Sequence, residues 1–210
     1  MVLIAPPPPS RPPDPIYYTL PSGSYLLRIF NPATRHNVQA LTFRHNGPRN
    51  RFDHQKSTLI GKPDDDPERG IYYTGFSLSC CLVEYFGDSG VIEIKDERVA
   101  RVQLKRDLQL LDLRGSGSLR AGSVAALAKV ADRNLSQSWS RYFYEQTNLY
   151  GILDGICYSN AHNDEAAIAL YERSQNALYC PDTQILPLNH PSLRPAIQQA
   201  ALRNNLDFPP

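Results

Sequence analysis

Val91-Ile92-Glu93-Ile94, Val99-Ala100-Arg101-Val102-Gln103-Leu104 and Leu108-Gln109-Leu110-Leu111-Asp112-Leu113 follow one another with only short polar breaks between them. Short aliphatic and β-branched runs of this kind read as strands. No segment of helical length separates them, so they are not the β-α-β units of a parallel array. Upstream, Ser77 to Phe86 reads as a helix, with Ser77 as N-cap and Gly87 as the stop. Tyr25 to Phe30 reads as a strand ended by Asn31-Pro32, and Ile71 to Thr74 as a short strand. Downstream, Ser123 to Arg133 and Ser136 to Thr147 read as helices, Gly155 to Ser159 as a strand and Asp164 to Ser174 as a helix. Short strands near Ala177 to Cys180 and Thr183 to Leu188 and a helix over about Leu193 to Arg203 complete the pattern. Strand runs with unevenly placed helices predict one α+β domain. Residues 31–70 are polar, with few apolar positions, and read as a long loop or flap rather than core.

The chain has 210 residues, enough for one domain of ordinary size. Pro6 to Pro9, Pro12, Pro13 and Pro15 make residues 1–21 a proline-rich, disordered leader, which leaves 22–210 as the folded domain. Met1 to Ala5 lacks a basic n-region and is cut short by prolines, so it is not expected to be a signal peptide. No apolar run approaches the roughly 20 residues of a membrane helix. With 22 basic against 21 acidic residues the net charge is +1, which gives no general pull toward nucleic acid or anionic lipid. Any anion site must be local. Cys80, Cys81, Cys157 and Cys180 form no C-x-x-C and sit in apolar surroundings, the pattern of buried thiols in the reducing cytoplasm. The histidines have neither mutual spacing nor cysteine partners suited to zinc, so no metal is expected.

The informative residues break their local pattern. In the strand at 25–30, Arg28 shares a face with Leu26 and Phe30, where a guanidinium is costly unless it meets an anion. Glu84 lies in Cys80-Cys81-Leu82-Val83-Glu84-Tyr85-Phe86, a helix apolar nearly all round that should be buried. Ser159 ends an apolar strand, where its hydroxyl can face a cleft. Two readings stay open on the residues alone. Arg28 and Glu84 form a buried ion pair, or both serve a ligand.

These pieces together resemble the RES-domain family, named for an Arg, a Glu and a Ser in this chain order. Arg28 after an apolar strand, Arg51-Phe52-Asp53, Ile71-Tyr72-Tyr73, Cys81-Leu82-Val83-Glu84, Gly155-Ile156-Cys157-Tyr158-Ser159 and Ala166 to Tyr171 carry the resemblance over roughly residues 25–188. It implies an ADP-ribosyltransferase-like fold, a bent mixed sheet flanked by helices with an NAD+ cleft. It implies an NAD+-degrading enzyme that cleaves the nicotinamide–ribose bond by hydrolysis, phosphorolysis or ADP-ribosyl transfer, with NAD+ as substrate. It also implies the toxin of a toxin–antitoxin pair with an Xre-type antitoxin as partner. A homo-oligomer is compatible with it. In some members a tyrosine follows the first arginine, whereas Ile29 stands there in this chain.

The residue types suit that chemistry. Arginine forks bind pyrophosphate oxygens bidentately, and Arg28 and Arg51 are the candidates, with Arg35, Arg44 and Arg49 close by in sequence. An aromatic face suits the cationic nicotinamide ring. Tyr72 is the first choice and Tyr73 the register alternative. Glycosidic cleavage develops positive charge on the ribose, which the Glu84 carboxylate can stabilise. Ser159 can orient the carboxamide or the glutamate. The catalytic set is then Arg28, Glu84 and Ser159, and the binding set Arg28, Arg51, Tyr72, Tyr73 and Ser159. The alternative is a non-catalytic NAD+- or protein-binding module of the same fold.

Overall fold

The computed structural model describes residues 3–56, 58 and 62–209. In chain order the elements are β1 (Tyr17–Leu20), β2 (Tyr25–Phe30), β3 (Asn46–Gly47), β4 (Asp64–Asp65), β5 (Ile71–Gly75), α1 (Leu78–Phe86), β6 (Arg98–Leu104), β7 (Leu108–Asp112), α2 (Gly117–Arg120), α3 (Arg133–Glu145), α4 (Thr147–Tyr150), β8 (Gly155–Ser159), β9 (Ala166–Tyr171), β10 (Leu178–Tyr179), β11 (Ile185–Pro187) and α5 (Arg194–Asn204). Nine strands form one mixed sheet in the order β1-β7-β8-β9-β5-β2-β6-β10, with β11 also on β6. β7 and β8 pair in parallel and the other neighbours are antiparallel.

One joint in this sheet is weak, and it positions the site. β2 pairs with β6 along its whole length but touches β5 only at Leu27↔Gly75. Beyond that point the two strands diverge. The 40–44 segment lies in the gap, with Arg44 bridging Ile71 and the Tyr72 hydroxyl donating to the Ala40 carbonyl at 2.8 Å.

Strand alternation sorts the side chains into two faces. On the front face Ile71, Ile156, Tyr158, Ala167, Ala169 and Tyr171 pack with Trp139 and Phe143 of α3. Farther along that face Ile29 and Val99 pack with Leu82 and Phe86 of α1 and Ile197 of α5. The rear face buries Leu26, Phe30, Tyr72, Ala100, Val102, Cys157, Ile168 and Leu170 together. α1 and α3 thus cover the same side of the sheet, with a space between them over β5.

Several sequence expectations change. Asp164 to Ser174 is not a helix: Ala166–Tyr171 is a central strand between β5 and β8, and a 3-10 turn follows at Glu172–Ala177. A run of six residues, five of them buried and on both faces, fits a strand with neighbours on each side, and periodicity alone does not separate that from a buried helix. Ser123 to Arg133 yields only a 3-10 turn at Ala125–Lys129. Val91 to Ile94 makes a single bridge, Val91↔Asp207, in place of a strand. The sheet begins before residue 22, because Tyr17–Leu20 pairs with Leu108–Leu111. Farther up the proline run, the Trp139 indole donates to the Ala5 carbonyl at 2.9 Å. The 31–70 stretch is packed rather than a free flap: Phe52, Asp53, His54 and Gln55 are fully buried. The His54 imidazole, its proton affinity lowered by burial, sits between the Tyr144 and Tyr171 rings and reaches Glu172 at 2.9 Å.

Candidate active site

A cleft of about 340 Å³ opens between α1 and the 50–51 turn, with β5 as its floor. Small-molecule sites occupy roughly 300–1,000 Å³. Front-face residues of the sheet supply the floor: Ile29, Tyr73, Gly75, Tyr158 and Ala167. Gly75 matters for the close approach of helix to strand. A Cβ there would lie 2.9 Å from the Cys80 sulfur and 3.2 Å from that of Cys81.

α1 forms one wall. Ser77 caps it by accepting from the Cys80 amide at 2.9 Å, as its sequence suggests. Its N-terminus is tied to the sheet by Glu165, which accepts hydrogen bonds from the Ser77 hydroxyl and, at 2.6 Å, from the Ser79 hydroxyl. Burial raises the Glu165 carboxyl, and the bonds from Ser77, Ser79 and Asn163 overcome this and leave it below its ordinary value. With Leu82, Val83 and Phe86 buried, Glu84 and Tyr85 fall on the open side. Glu84 is therefore not sealed in the core as its apolar neighbours suggest. It lines the cleft. Although the residue keeps exposed surface, the surrounding walls strip water from its carboxyl and raise its pKa. His162 and Arg51 pull it back down, and Asp88 pushes it up.

The opposite wall is the 49–53 turn, organised around the buried Asp53 carboxylate. That group accepts from Arg44 Nη2 at 2.7 Å, the Arg49 amide at 2.5 Å, the Asn50 amide at 2.8 Å and the Tyr73 hydroxyl at 2.8 Å. The Tyr73 oxygen in turn accepts from the Phe52 amide at 3.0 Å. Arg51 is held in the cleft by a hydrogen bond from its guanidinium to the Val130 carbonyl.

Arg28 enters at the split between β2 and β5. Its guanidinium stacks 4.2 Å over the Tyr72 ring and donates to the Thr42 carbonyl at 2.8 Å. Arg28 and Glu84 both line the cleft, yet among the described residues they do not pair with each other. The closed ion-pair reading is thereby set aside.

Two assignments need correction. Tyr72 does not line the cleft. It is fully buried on the rear face, where burial pushes its hydroxyl up to about 12, and it serves as a shelf for Arg28. The register alternative, Tyr73, faces the cleft. Ser159 shares rear-face parity with Cys157 and is absent from the lining, whereas Tyr158 is on the front face with its ring 4.7 Å from Phe52. Residue 160 returns to the front parity, and the fully buried Asn160 amide reaches the Cys80 sulfur at 3.6 Å. Sequence reasoning missed Asp53, Tyr158, His162 and Arg133 as parts of this site. Of these only Tyr158 carried a signal, its parity opposite to Ser159.

The thiols in the lining are poor nucleophiles. Burial pushes Cys80 up to about 12 and Cys81 higher still, so both stay protonated near neutrality. The reactive groups left in the cleft are two carboxylates, Glu84 and Asp88, and the His162 imidazole, facing the guanidinium groups of Arg28, Arg51 and Arg133 with tyrosine rings between them. Among the described residues no group of three or more metal-ligating side chains is present.

The chain is similar to known proteins over most of its length. The model of the RES domain matches residues 26–190. A probable toxin, y4kH, of Sinorhizobium fredii (strain NBRC 101917 / NGR234) is 33% identical over 85 residues, which is 40% of this chain and 65% of that protein. A chain in the crystal structure of the M. tuberculosis MbcT–MbcA toxin–antitoxin complex superposes with a TM-score of 0.56 at 16% identity, over 86% of this chain and 90% of that one. At that identity the superposition speaks for the fold.

Proposed function

We propose that this chain, which belongs to the RES domain family, binds NAD+ in the cleft between α1 and the 50–51 turn and cleaves its nicotinamide–ribose bond. The observation that carries this reading is the convergence of Arg28, Arg51 and Glu84, from a strand, a turn and a helix, on one cleft in which, among the described residues, Arg28 and Glu84 do not pair with each other. Arg28, rigidly shelved on Tyr72, and Arg51 bind the pyrophosphate oxygens. The Tyr73 and Tyr158 edges flank the nicotinamide ring. As the C1′–N bond breaks, nicotinamide leaves with the bonding electron pair and positive charge spreads over the ribose ring. Glu84 stabilises that charge, with Arg51 and His162 favouring its ionised form. Water, phosphate or a protein nucleophile then adds at C1′. Ser159 is left without a direct part in the chemistry.

By likeness to the probable toxin and to the toxin–antitoxin complex, the physiological role is that of a toxin. Its partner is an antitoxin, of Xre type by the family resemblance, and its place of action is the cytoplasm. The four free cysteines fit a reducing compartment, and among the described residues no helix is long and apolar enough to cross a membrane. The test is mass analysis of the products after incubating purified protein with NAD+, with and without phosphate. Free nicotinamide is expected together with ADP-ribose, ADP-ribose phosphate or a modified protein, which identify the acceptor. NAD+ left intact in every arm overturns the proposal.

A further inference from the structure

Beside the cleft lies a second cavity of about 430 Å³, joined to it through Arg133, which lines both. Pro48, Arg49, Pro63, Asn134, Gln137 and Arg141 form the rest of its wall. Asn134, Gln137 and Arg141 follow one face of α3 at spacings of three and four. Among the described residues the lining holds three arginines, no carboxylate and no aromatic ring. Each guanidinium is met by a neutral oxygen. Arg49 Nε donates to Asn46 Oδ1 at 2.7 Å, Arg133 Nη1 to the Arg49 carbonyl at 3.1 Å and Arg141 Nη1 to the Gln55 carbonyl at 3.3 Å. Among the described residues none of these three forms an ion pair, while Arg44, Arg69, Arg106, Arg114, Arg120 and Arg173 each do. Glu145, the carboxylate that acts on Arg141, is taken by Arg69 at 2.7 Å. Burial lowers the proton affinity of Arg141 and the nearby Arg69 cation lowers it further, so an anion in the cavity would relieve both effects.

In a chain with a net charge of only +1, this concentration of unpaired cations is local. We infer that the cavity binds a phosphoryl group, and that cleft and cavity together accept a dinucleotide bearing a phosphate monoester besides its pyrophosphate. Arg28 and Arg51 already suffice for the pyrophosphate in the proposed function, on which the dinucleotide half of this inference rests. A monoester carries roughly −1.5 to −2 charge and three terminal oxygens, which suits three converging guanidinium forks. Three guanidinium groups and no carboxylate among the described lining residues suit the phosphoryl group, which we assign to the cavity.

The test is calorimetric titration of the full chain carrying Glu84→Gln, so that dinucleotides survive, with and without Arg49→Gln plus Arg141→Gln. The probes are NAD+, NADP+, inorganic phosphate and poly-glutamate, and thermal melting verifies that each variant is folded. NADP+ is expected to bind about tenfold or more tightly than NAD+. The arginine pair of substitutions should remove that advantage, bringing the ratio of NADP+ to NAD+ affinity to about one. If the two dinucleotides bind equally but phosphate binds and the substitutions abolish it, the phosphoryl site stands with free phosphate as its source. If neither NADP+ preference nor phosphate binding is found, the inference is overturned, and binding of poly-glutamate alone would assign the patch to a protein partner. Failure of NAD+ to bind at all defeats the proposed function instead, and the phosphate arm still decides this site.

Discussion

The two walls of the cleft are held by different forces. The α1 wall rests on apolar packing, with Leu82 and Phe86 against Ile29 and Ile197. Glu84 projects from the side that packing leaves over, and nothing in the wall depends on its charge. The 49–53 wall is held by hydrogen bonds that meet at one buried carboxylate, Asp53, and Arg49, Asn50 and Tyr73 all share it. A functional side chain on the first wall can be changed without moving its support. On the second wall, support and function are coupled, so one substitution displaces several groups of the site.

The largest effect should therefore fall on the support. Asp53→Ala strands the Arg44 guanidinium and frees two backbone amides and a tyrosine hydroxyl. It is expected to cost about 3–5 kcal/mol of stability, read from urea or thermal unfolding, with loss of NAD+ binding in whatever remains folded. Stability within 1 kcal/mol of wild type would show that the loop wall is not organised around this group. Glu84→Gln should behave in the opposite way. Turnover of NAD+ is expected to fall about 10²–10³-fold, equal to roughly 2.7–4 kcal/mol in the transition state, with the unfolding midpoint hardly moved. Wild-type activity should also decline as pH falls through the Glu84 pKa, since protonation removes the stabilising charge. Loss of water around the carboxyl raises that pKa, so the acid limb should lie above that of an ordinary glutamate. An acid limb unchanged in Glu84→Gln would remove this residue from the role.

Different physics also explains what could be read from the sequence. Arg28 and Glu84 were legible because each breaks an apolar pattern, and α1 was legible from its cap and its composition. Asp53 was not, because a carboxylate in the polar 31–70 stretch breaks no pattern. Its burial is imposed by Arg44 and Tyr73, which only the fold brings to it. The Tyr72–Tyr73 alternation was visible, but which tyrosine faces the cleft depends on which side of the sheet α1 and α3 cover. The same dependence leaves Ser159 outside the cleft lining. The Ala166–Tyr171 strand was misread because burial on both faces erases the period that separates strand from helix. Tyr73→Phe sharpens the point at the join between walls. It deletes the hydroxyl that donates to Asp53 and accepts from the Phe52 amide, and about 1 kcal/mol of stability should be lost. KM for NAD+ should rise more than kcat falls, because the displaced element is a binding turn. A fall in kcat alone would place the phenol in the chemistry itself.

The smallest effect is the most discriminating between reading by family pattern and reading by geometry. Ser159 pairs with Ala166 at the end of β8, on the rear-face parity and outside the cleft lining. With no side-chain hydrogen bond to lose among the described residues, Ser159→Ala should change stability by less than about 0.5 kcal/mol. NAD+ turnover should stay within twofold of wild type. Tyr158→Phe, one residue earlier on the same strand, removes a hydroxyl from the cleft itself and should exceed it in effect on activity. If Ser159→Ala lowers turnover tenfold while Tyr158→Phe does not, strand β8 must present its other face to the substrate. The floor of the cleft would then shift by one residue, taking Tyr73 and Ala167 out of the site together, because their registers on β5 and β9 are locked to that of β8.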